Sequence, residues 1–199
     1  MPLESLRKTV LASLMAALTA VGAYLFIPVG PVPIVLSSLF VLLSGLFLGS
    51  RWGLTSVLIY LFVGAIGLPV FSGGRGGIVH ILGPTGGYLF GYALSAWSSG
   101  LISERRRGSA LFDILAILIG SLAIYGIGVP WLKWVANLTW EKSLLVGIVP
   151  FLIGDALKGA AAFILARSVR PILNRQEESL RTDVFGNGTR KKDTSLQLK

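Results

Sequence analysis

Six apolar segments constrain this chain more than any other feature. Each is about 16 to 22 residues long with few charges, and about 20 apolar residues in a helix span the ~30 Å hydrocarbon core of a bilayer. Only 14% of the residues are charged, against about 25% in a soluble domain. We therefore predict an all-α membrane protein, a bundle of six transmembrane helices. The predicted spans are Thr9–Ile27, Ile34–Gly49, Trp52–Phe71, Thr85–Ser103, Ala110–Trp131 and Pro150–Val169.

The basic residues indicate how the bundle is oriented. Of the 18 Lys and Arg, 14 fall at the N-terminus, at Arg51, at 105–107 and from Arg167 onward. The others are Arg75, Lys133 and Lys142 on the opposite side, and Lys158 within the last span. Because cytoplasmic loops carry the excess of Lys and Arg, both termini are predicted to be cytoplasmic. The positive net charge then reflects orientation and attraction to anionic lipid, and not a nucleic-acid site.

The chain divides into two parts by composition. Residues 1–170 form the predicted six-helix substrate-binding domain. Residues 171–199 are polar and charged, and are predicted to be a flexible cytoplasmic tail, since such a segment has too little apolar surface to fold by itself.

A glycine-rich stretch, residues 71–88, joins the third and fourth predicted helices on the outer side. It contains the single histidine of the chain, His80, and Arg75 between two Gly pairs. Glycine allows close approach of backbone to backbone or ligand, and irregular backbone at membrane depth is tolerated where it is buried or lines a cavity. An ordinary connection is the alternative, but 18 residues are long for one. We predict an extracytoplasmic loop that forms part of a binding site.

Two opposite charges lie inside the last predicted span. Asp155 and Lys158 are three residues apart, so they share one face of a helix, about 8 and 12 Å from its outer end if it starts at Pro150. Each costs roughly 2.5–3.5 kcal/mol near the centre of a membrane helix. The pair either neutralises itself against the bundle or forms the polar floor of a ligand pocket. Charges within a membrane favour the second interpretation.

Several function classes lack their residues in this sequence. Without cysteine and with one histidine, there is no thiol nucleophile, disulfide framework or plausible zinc or iron–sulfur site. No Gly-Lys-Ser/Thr motif is present for binding ATP phosphates. An intramembrane hydrolase based on His80 and Asp155 would lack a clear nucleophile. A secondary carrier coupled through Asp155 is a further alternative, although we find no convincing inverted repeat. We predict no catalytic residues.

Small residues recur along the first predicted helix. Ala12, Ala16 and Ala20 are spaced by four residues, which places them in one stripe where another helix can approach closely. We expect this stripe to be a packing surface.

Three motifs together carry a family resemblance. These are Phe71-Ser-Gly-Gly-Arg-Gly-Gly, Gly83-Pro-Thr-Gly-Gly-Tyr-Leu-Phe-Gly-Tyr92 and Gly154-Asp-x-x-Lys158. In combination they resemble BioY, the biotin-binding S-component of energy-coupling-factor (ECF) transporters, over about residues 8–170. The tail has no counterpart in this pattern.

The resemblance implies a prokaryotic inner-membrane protein that captures biotin from outside and is not an enzyme. It further implies partnership with a transmembrane coupling subunit and two ATPase subunits, with Ala12, Ala16 and Ala20 similar to the docking motif for the coupling subunit. Asp155 and Lys158 match the polar pair of the family's pocket, and Tyr88 its aromatic residue. Without the resemblance, the residues do not separate biotin from another small vitamin. The remaining candidate site residues are Phe71, Arg75, His80, Thr85, Gly86 and Gly87.

Overall fold

The computed structural model describes residues 3–172, with side chains described from Ser5. The predicted tail lies outside the described residues except for 171 and 172, and stays a prediction. Contacts group Met1–Ala166 into one compact unit, which contains every candidate site residue.

Seven α-helices, one β-hairpin and one 3-10 turn occur within residues 3–172. The helices are α1 (Leu3–Tyr24), α2 (Ser37–Ala65), α3 (Ile78–Ile81), α4 (Gly86–Arg105), α5 (Ala110–Val135), α6 (Trp140–Gly147) and α7 (152–172). The hairpin pairs β1 (Phe26–Ile27) with β2 (Ile34–Val35), and the 3-10 turn is Val149–Phe151.

Four helical stretches are long and apolar enough to cross a membrane: Ser5–Tyr24, Ser37–Ala65, Ala110–Val135 and Trp140–Ile172. The second of these, α2, is interrupted at Gly49, whose φ of 80° and ψ of −176° are not helical. Its two parts, 37–48 and 50–65, correspond to the second and third predicted spans. Together with α1, α4, α5 and α7, they give the six helices of the predicted bundle.

The helix boundaries differ from the predictions where the chain turns. The first helix ends at Tyr24 because the next residues enter the hairpin, in which Phe26 pairs with Val35 and Ile27 with Ile34. Helix α5 continues through Pro130 to Val135, since a membrane helix tolerates proline when neighbouring groups satisfy the freed carbonyl. The segment between the fifth and sixth predicted spans is therefore mostly helical, and includes α6.

The core lies where α2 packs against α1 and α4, and α4 packs against α5. One cluster of buried side chains contains Tyr60, Phe71, Tyr88 and Tyr92, which come from α2, from the segment after it and from α4. This cluster positions the glycine-rich segment above the ends of the long helices.

Candidate substrate-binding site

A tight turn begins the glycine-rich segment. The Phe71 N–H donates to the Arg75 carbonyl at 2.8 Å, which closes a small antiparallel bridge. Between them, Gly73 and Gly74 have φ of 73° and 69°. Two consecutive positive φ angles favour glycine, as in the tight turns of β-hairpins. The Gly-Gly pair thus allows the chain to reverse and fixes the backbone of Arg75.

Phe71 anchors this turn in the core. Its side chain is fully buried and meets Tyr60 edge to face, with ring centroids 5.5 Å apart. The ring fits because position 64 is glycine: a Cβ there would overlap the Phe71 ring. Phe71 therefore supports the site from below and has no surface of its own toward a ligand.

A cavity of about 760 Å³ lies between the glycine-rich segment and the proline connection 28–33. Arg75 and His80, together with the hydroxyls of Ser72 and Thr85, supply its charged and polar side chains. The other residues around it are Phe26, Pro28, Gly30, Pro31, Pro33, Gly73, Gly76, Val79, Gly83 and Pro84. Arg75 is exposed, so its guanidinium is available to an anionic group entering this cavity.

His80 lies at the inner side of the cavity. Its ring stacks on Phe71, and its Nε2 lies 3.3 Å from the Thr85 hydroxyl. Burial lowers the pKa of His80 below its ordinary 6.5, and the nearby Arg75 guanidinium lowers the pKa further. His80 is therefore neutral at pH 7, and Arg75 supplies the positive charge of the cavity.

A second, much smaller cavity of about 30 Å³ lies deeper in the bundle. It shares Pro33, Ser72, His80 and Thr85 with the outer cavity. Its other walls include Ser37, Tyr60, Tyr88 and Tyr92. His80 and Thr85, which contact each other, therefore line both the wide outer cavity and the narrow inner one.

Gly86, Gly87 and Tyr88 begin α4 and are buried. A Cβ at Gly86 would overlap the Ile81 carbonyl oxygen, and one at Gly87 would overlap the Trp131 side chain. The two glycines thus permit close packing, and neither lines the two cavities above. The Tyr88 hydroxyl donates to the Gly147 carbonyl at 2.9 Å, and its ring stacks on Phe151. Tyr88 alone of the three faces the inner cavity.

Asp155 and Lys158 form the ion pair that their spacing predicts. Lys158 Nζ lies 2.7 Å from Asp155 Oδ1, and the two side chains are 10% and 24% exposed for Lys158 and Asp155 respectively. Lys158 Nζ also donates to the Ser38 hydroxyl at 3.0 Å, while the Tyr125 hydroxyl donates to Asp155 Oδ2. Asp155 lies in the first turn of α7, where the helix dipole stabilises a negative charge.

Neither residue of the ion pair lines the outer or the inner cavity. Asp155 instead borders a groove of about 550 Å³ between α5 and α7. Two links connect the pair to the inner cavity: Ser38 follows Ser37, a wall residue, and Tyr92 interacts electrostatically with Asp155. The structure thus places Arg75, His80 and Thr85 at the outer cavity, and does not bring Asp155 and Lys158 into the lining of that cavity.

The alanine stripe of α1 is directed into the protein. Ala12 and Ala16 are buried, at 0% and 5% exposure, and Ala20 is partly buried. In this conformation they allow α1 and α2 to approach closely, as small residues do. A role in docking a partner stays a prediction, and it would require this stripe to become uncovered.

Sequence reasoning missed the residues that complete the ion pair and the inner cavity. Ser38 and Tyr125 contact the pair from α2 and α5, and Tyr60 and Tyr92 line the inner cavity. Each of these four residues has a hydroxyl group within an apolar span, and this is the sequence feature that could have identified it. Hydroxyl-bearing residues are common in such spans, so this signal does not by itself select these four.

The family model that matches the chain is BioY, over residues 1–175. The probable biotin transporter BioY of Pyrococcus horikoshii is 42% identical over 160 residues, covering 80% of this chain and 94% of the relative. The biotin transporter BioY of Thermotoga maritima is 38% identical over 167 residues, covering 84% and 98%.

A solved structure agrees with these relatives. The crystal structure of the S-component for biotin from an ECF-type ABC transporter superposes with a TM-score of 0.80 at 28% identity, covering 86% of this chain and 94% of that one. The predicted all-helical, multi-pass membrane fold is thereby confirmed. This chain belongs to the BioY family.

Proposed function

We propose that this chain is the biotin-binding S-component of an ECF-type ABC transporter and that it captures biotin at the ion pair of Asp155 and Lys158. The observation that carries the proposal is the half-buried ion pair in the first turn of α7, hydrogen-bonded to Ser38 of α2 and to Tyr125 of α5. As a subunit for binding and transport, the chain is not an enzyme.

The groups at the site suit the chemistry of biotin. The ureido ring of biotin has two N–H donors and a carbonyl, and a carboxylate such as Asp155 accepts N–H bonds. Lys158 has three donors, of which Asp155 and Ser38 engage two, so that one N–H can reach a carbonyl or carboxylate. Tyr88 and Tyr92 provide apolar ring surface for the bicyclic part, as in most small-molecule pockets.

The inner cavity is narrow in this conformation. Its volume of about 30 Å³ is far below the roughly 300–1,000 Å³ of small-molecule pockets, so a vitamin enters only if the surrounding side chains move. Three polar residues line both cavities: Ser72, His80 and Thr85. Biotin arriving in the outer cavity, with its carboxylate near Arg75, would therefore have to pass them.

The arrangement in the membrane follows the charge distribution. Both termini are placed in the cytoplasm and the glycine-rich segment outside, since Lys and Arg concentrate on the other side of the bundle. The expected partners are the transmembrane coupling subunit and two ATPase subunits, which would supply the energy of ATP hydrolysis. Their docking surface on this chain includes Ala12, Ala16 and Ala20 in the family pattern.

Biotin binding by the purified protein tests the proposal. The intact chain in detergent should bind biotin, and Asp155→Asn and Lys158→Ala should each lose most of that affinity. Arg106→Ala, which removes an exposed Arg remote in sequence from both motifs, serves as the control. Absence of biotin binding by the intact protein would overturn the proposed function. Binding that survives both substitutions would place the site elsewhere.

A further inference from the structure

Tyr125 contacts the Asp155 oxygen that Lys158 leaves free. The Tyr125 hydroxyl, from α5, donates to Asp155 Oδ2, while Lys158 of the same helix as Asp155 engages Oδ1. The carboxylate is thus held from two helices, one donor on each oxygen. Neither the spacing of the pair nor the family resemblance pointed to Tyr125.

This arrangement fixes the plane of the carboxylate. An ionised carboxylate has about four lone-pair positions, and the two donors occupy one on each oxygen. The remaining positions consequently have fixed directions, toward which a ligand N–H can be placed. Preorganised groups of this kind bind better, because their orientation is not paid for at the moment of binding.

A groove beside Asp155 gives its carboxylate space to rotate if the hydrogen bond from Tyr125 is lost. It is lined by Tyr125 and Asp155 and otherwise mostly by apolar side chains of α5 and α7, such as Ile117, Leu122 and Leu152. Asp155 is 24% exposed, so its side chain has room to rotate once a restraint is lost. Without the hydroxyl, the carboxylate could rotate in the groove or accept hydrogen bonds from Lys158 Nζ with both oxygens.

We propose that Tyr125 is a positioning residue of the biotin site: its hydroxyl holds the Asp155 carboxylate in the orientation that accepts the ureido N–H of the ligand. This inference rests on the proposed function. Tyr125 acts through Asp155 and needs no contact with biotin itself.

A double-mutant cycle on the purified full chain tests this role. Biotin affinity is measured for the wild type, Tyr125→Phe, Asp155→Asn and the double variant. Tyr125→Phe keeps the ring and should weaken binding roughly tenfold, as expected for a hydrogen bond to a charged group. In the Asp155→Asn background the same change should have no further effect, because residues acting as one unit are not additive.

One control and two fallback comparisons keep the experiment decisive. Tyr24→Phe removes the hydroxyl of an exposed tyrosine, bonded to the Pro69 carbonyl, and should leave biotin affinity unchanged. If Asp155→Asn binds too weakly to titrate, biotin methylated at the ureido nitrogens replaces it, and wild type and Tyr125→Phe should bind this analogue equally. If Tyr125→Phe does not fold, Tyr125→His, whose ring N–H can replace the donor, should bind biotin more tightly than Tyr125→Leu.

The inference is overturned if Tyr125→Phe binds biotin like the wild type. It is also overturned if this substitution weakens biotin binding equally in the wild-type and Asp155→Asn backgrounds, or weakens binding of biotin and of the methylated analogue equally. If Tyr125→Phe does not fold, equal biotin affinities of Tyr125→His and Tyr125→Leu overturn the inference. The proposed function fails in a different way, since the wild type would then not bind biotin at all.

Discussion

The rings of Phe71 and His80 are stacked, with centroids 5.2 Å apart and planes inclined by 19°. Phe71 belongs to the buried core and His80 faces both cavities. The stack therefore joins the buried anchor of the glycine-rich segment to a residue that lines both the outer and the inner cavity.

Acid should destabilise the protein through His80. Burial and Arg75 lower the native pKa of His80 below 6.5, so as the pH falls through 6.5 the unfolded chain binds a proton that the folded chain resists. The stabilising effect of a neutral His80 is present above pH 6.5 and is lost between 6.5 and the lowered native pKa. We expect the thermal midpoint to fall from pH 7.5 to 5.5, and to fall less in His80→Phe, which cannot be protonated. An equal fall in both proteins would contradict this assignment.

Gly64→Ala should destabilise the fold. The added Cβ would overlap the Phe71 ring, so the ring or the helix must shift, and overpacking of this kind costs about 1–3 kcal/mol. The measurement is the thermal midpoint in detergent. Gly126→Ala is the matched control, since a Cβ at Gly126 in α5 meets nothing within 4 Å and alanine is the better helix former. Equal midpoints for the two variants would show that Phe71 is not tightly seated.

Glu104 should stabilise the second part of α2. Its carboxylate accepts from the Ser50 N–H and from the Ser50 hydroxyl, both at 2.9 Å, and so caps the helix that restarts after Gly49. Loss of a cap costs about 1 kcal/mol, so Glu104→Ala should lower the thermal midpoint and Glu104→Gln should lower it less. Arg106→Ala, an exposed change two residues further on, should have little effect. A midpoint of Glu104→Ala equal to that of the wild type would rule out the capping role.

Variants of the ion pair should affect stability and biotin binding differently. Asp155→Asn leaves Lys158, which is 10% exposed, with an uncompensated charge, and breaking a buried pair in this way costs about 3 kcal/mol or more. Lys158→Met should cost less, because Asp155 is more exposed and keeps the Tyr125 hydroxyl.

The double variant Asp155→Asn/Lys158→Met removes both charges. It should regain much of the thermal midpoint lost in Asp155→Asn, while biotin titration still detects little or no binding. Biotin affinity retained by the double variant would mean that the pair only neutralises itself, as in the structural alternative.

The sequence predicted the helices better than their ends. The break at Gly49 lies next to the predicted turn at Ser50 and Arg51, because one glycine with positive φ is enough to interrupt a helix. In contrast, Ile66 to Phe71 were assigned to the third span and lie beyond α2, which ends at Ala65. These residues are mostly apolar, although Ile66 and Leu68 are exposed, so composition does not separate them from the helix.

The neighbours of each functional residue depended on the tertiary structure. Ser38 lies 120 positions from Lys158 and Tyr125 lies 30 positions from Asp155, and no local pattern links them. The sequence also left open which way the alanine stripe of α1 faces. In the structure, the stripe packs against other parts of the same chain.

The sequence by itself determined that this protein is an all-helical, multi-pass membrane protein, that Asp155 and Lys158 share one helix face, and that its motifs are those of BioY. These properties depend on segment length, helical period and local motifs. The tertiary structure alone decided which helix lies against that face and which hydroxyls reach the two charges. The reason is physical: lipid is as apolar as a protein core, so hydrophobic patterning does not distinguish the face of a membrane helix that packs from the face that meets lipid.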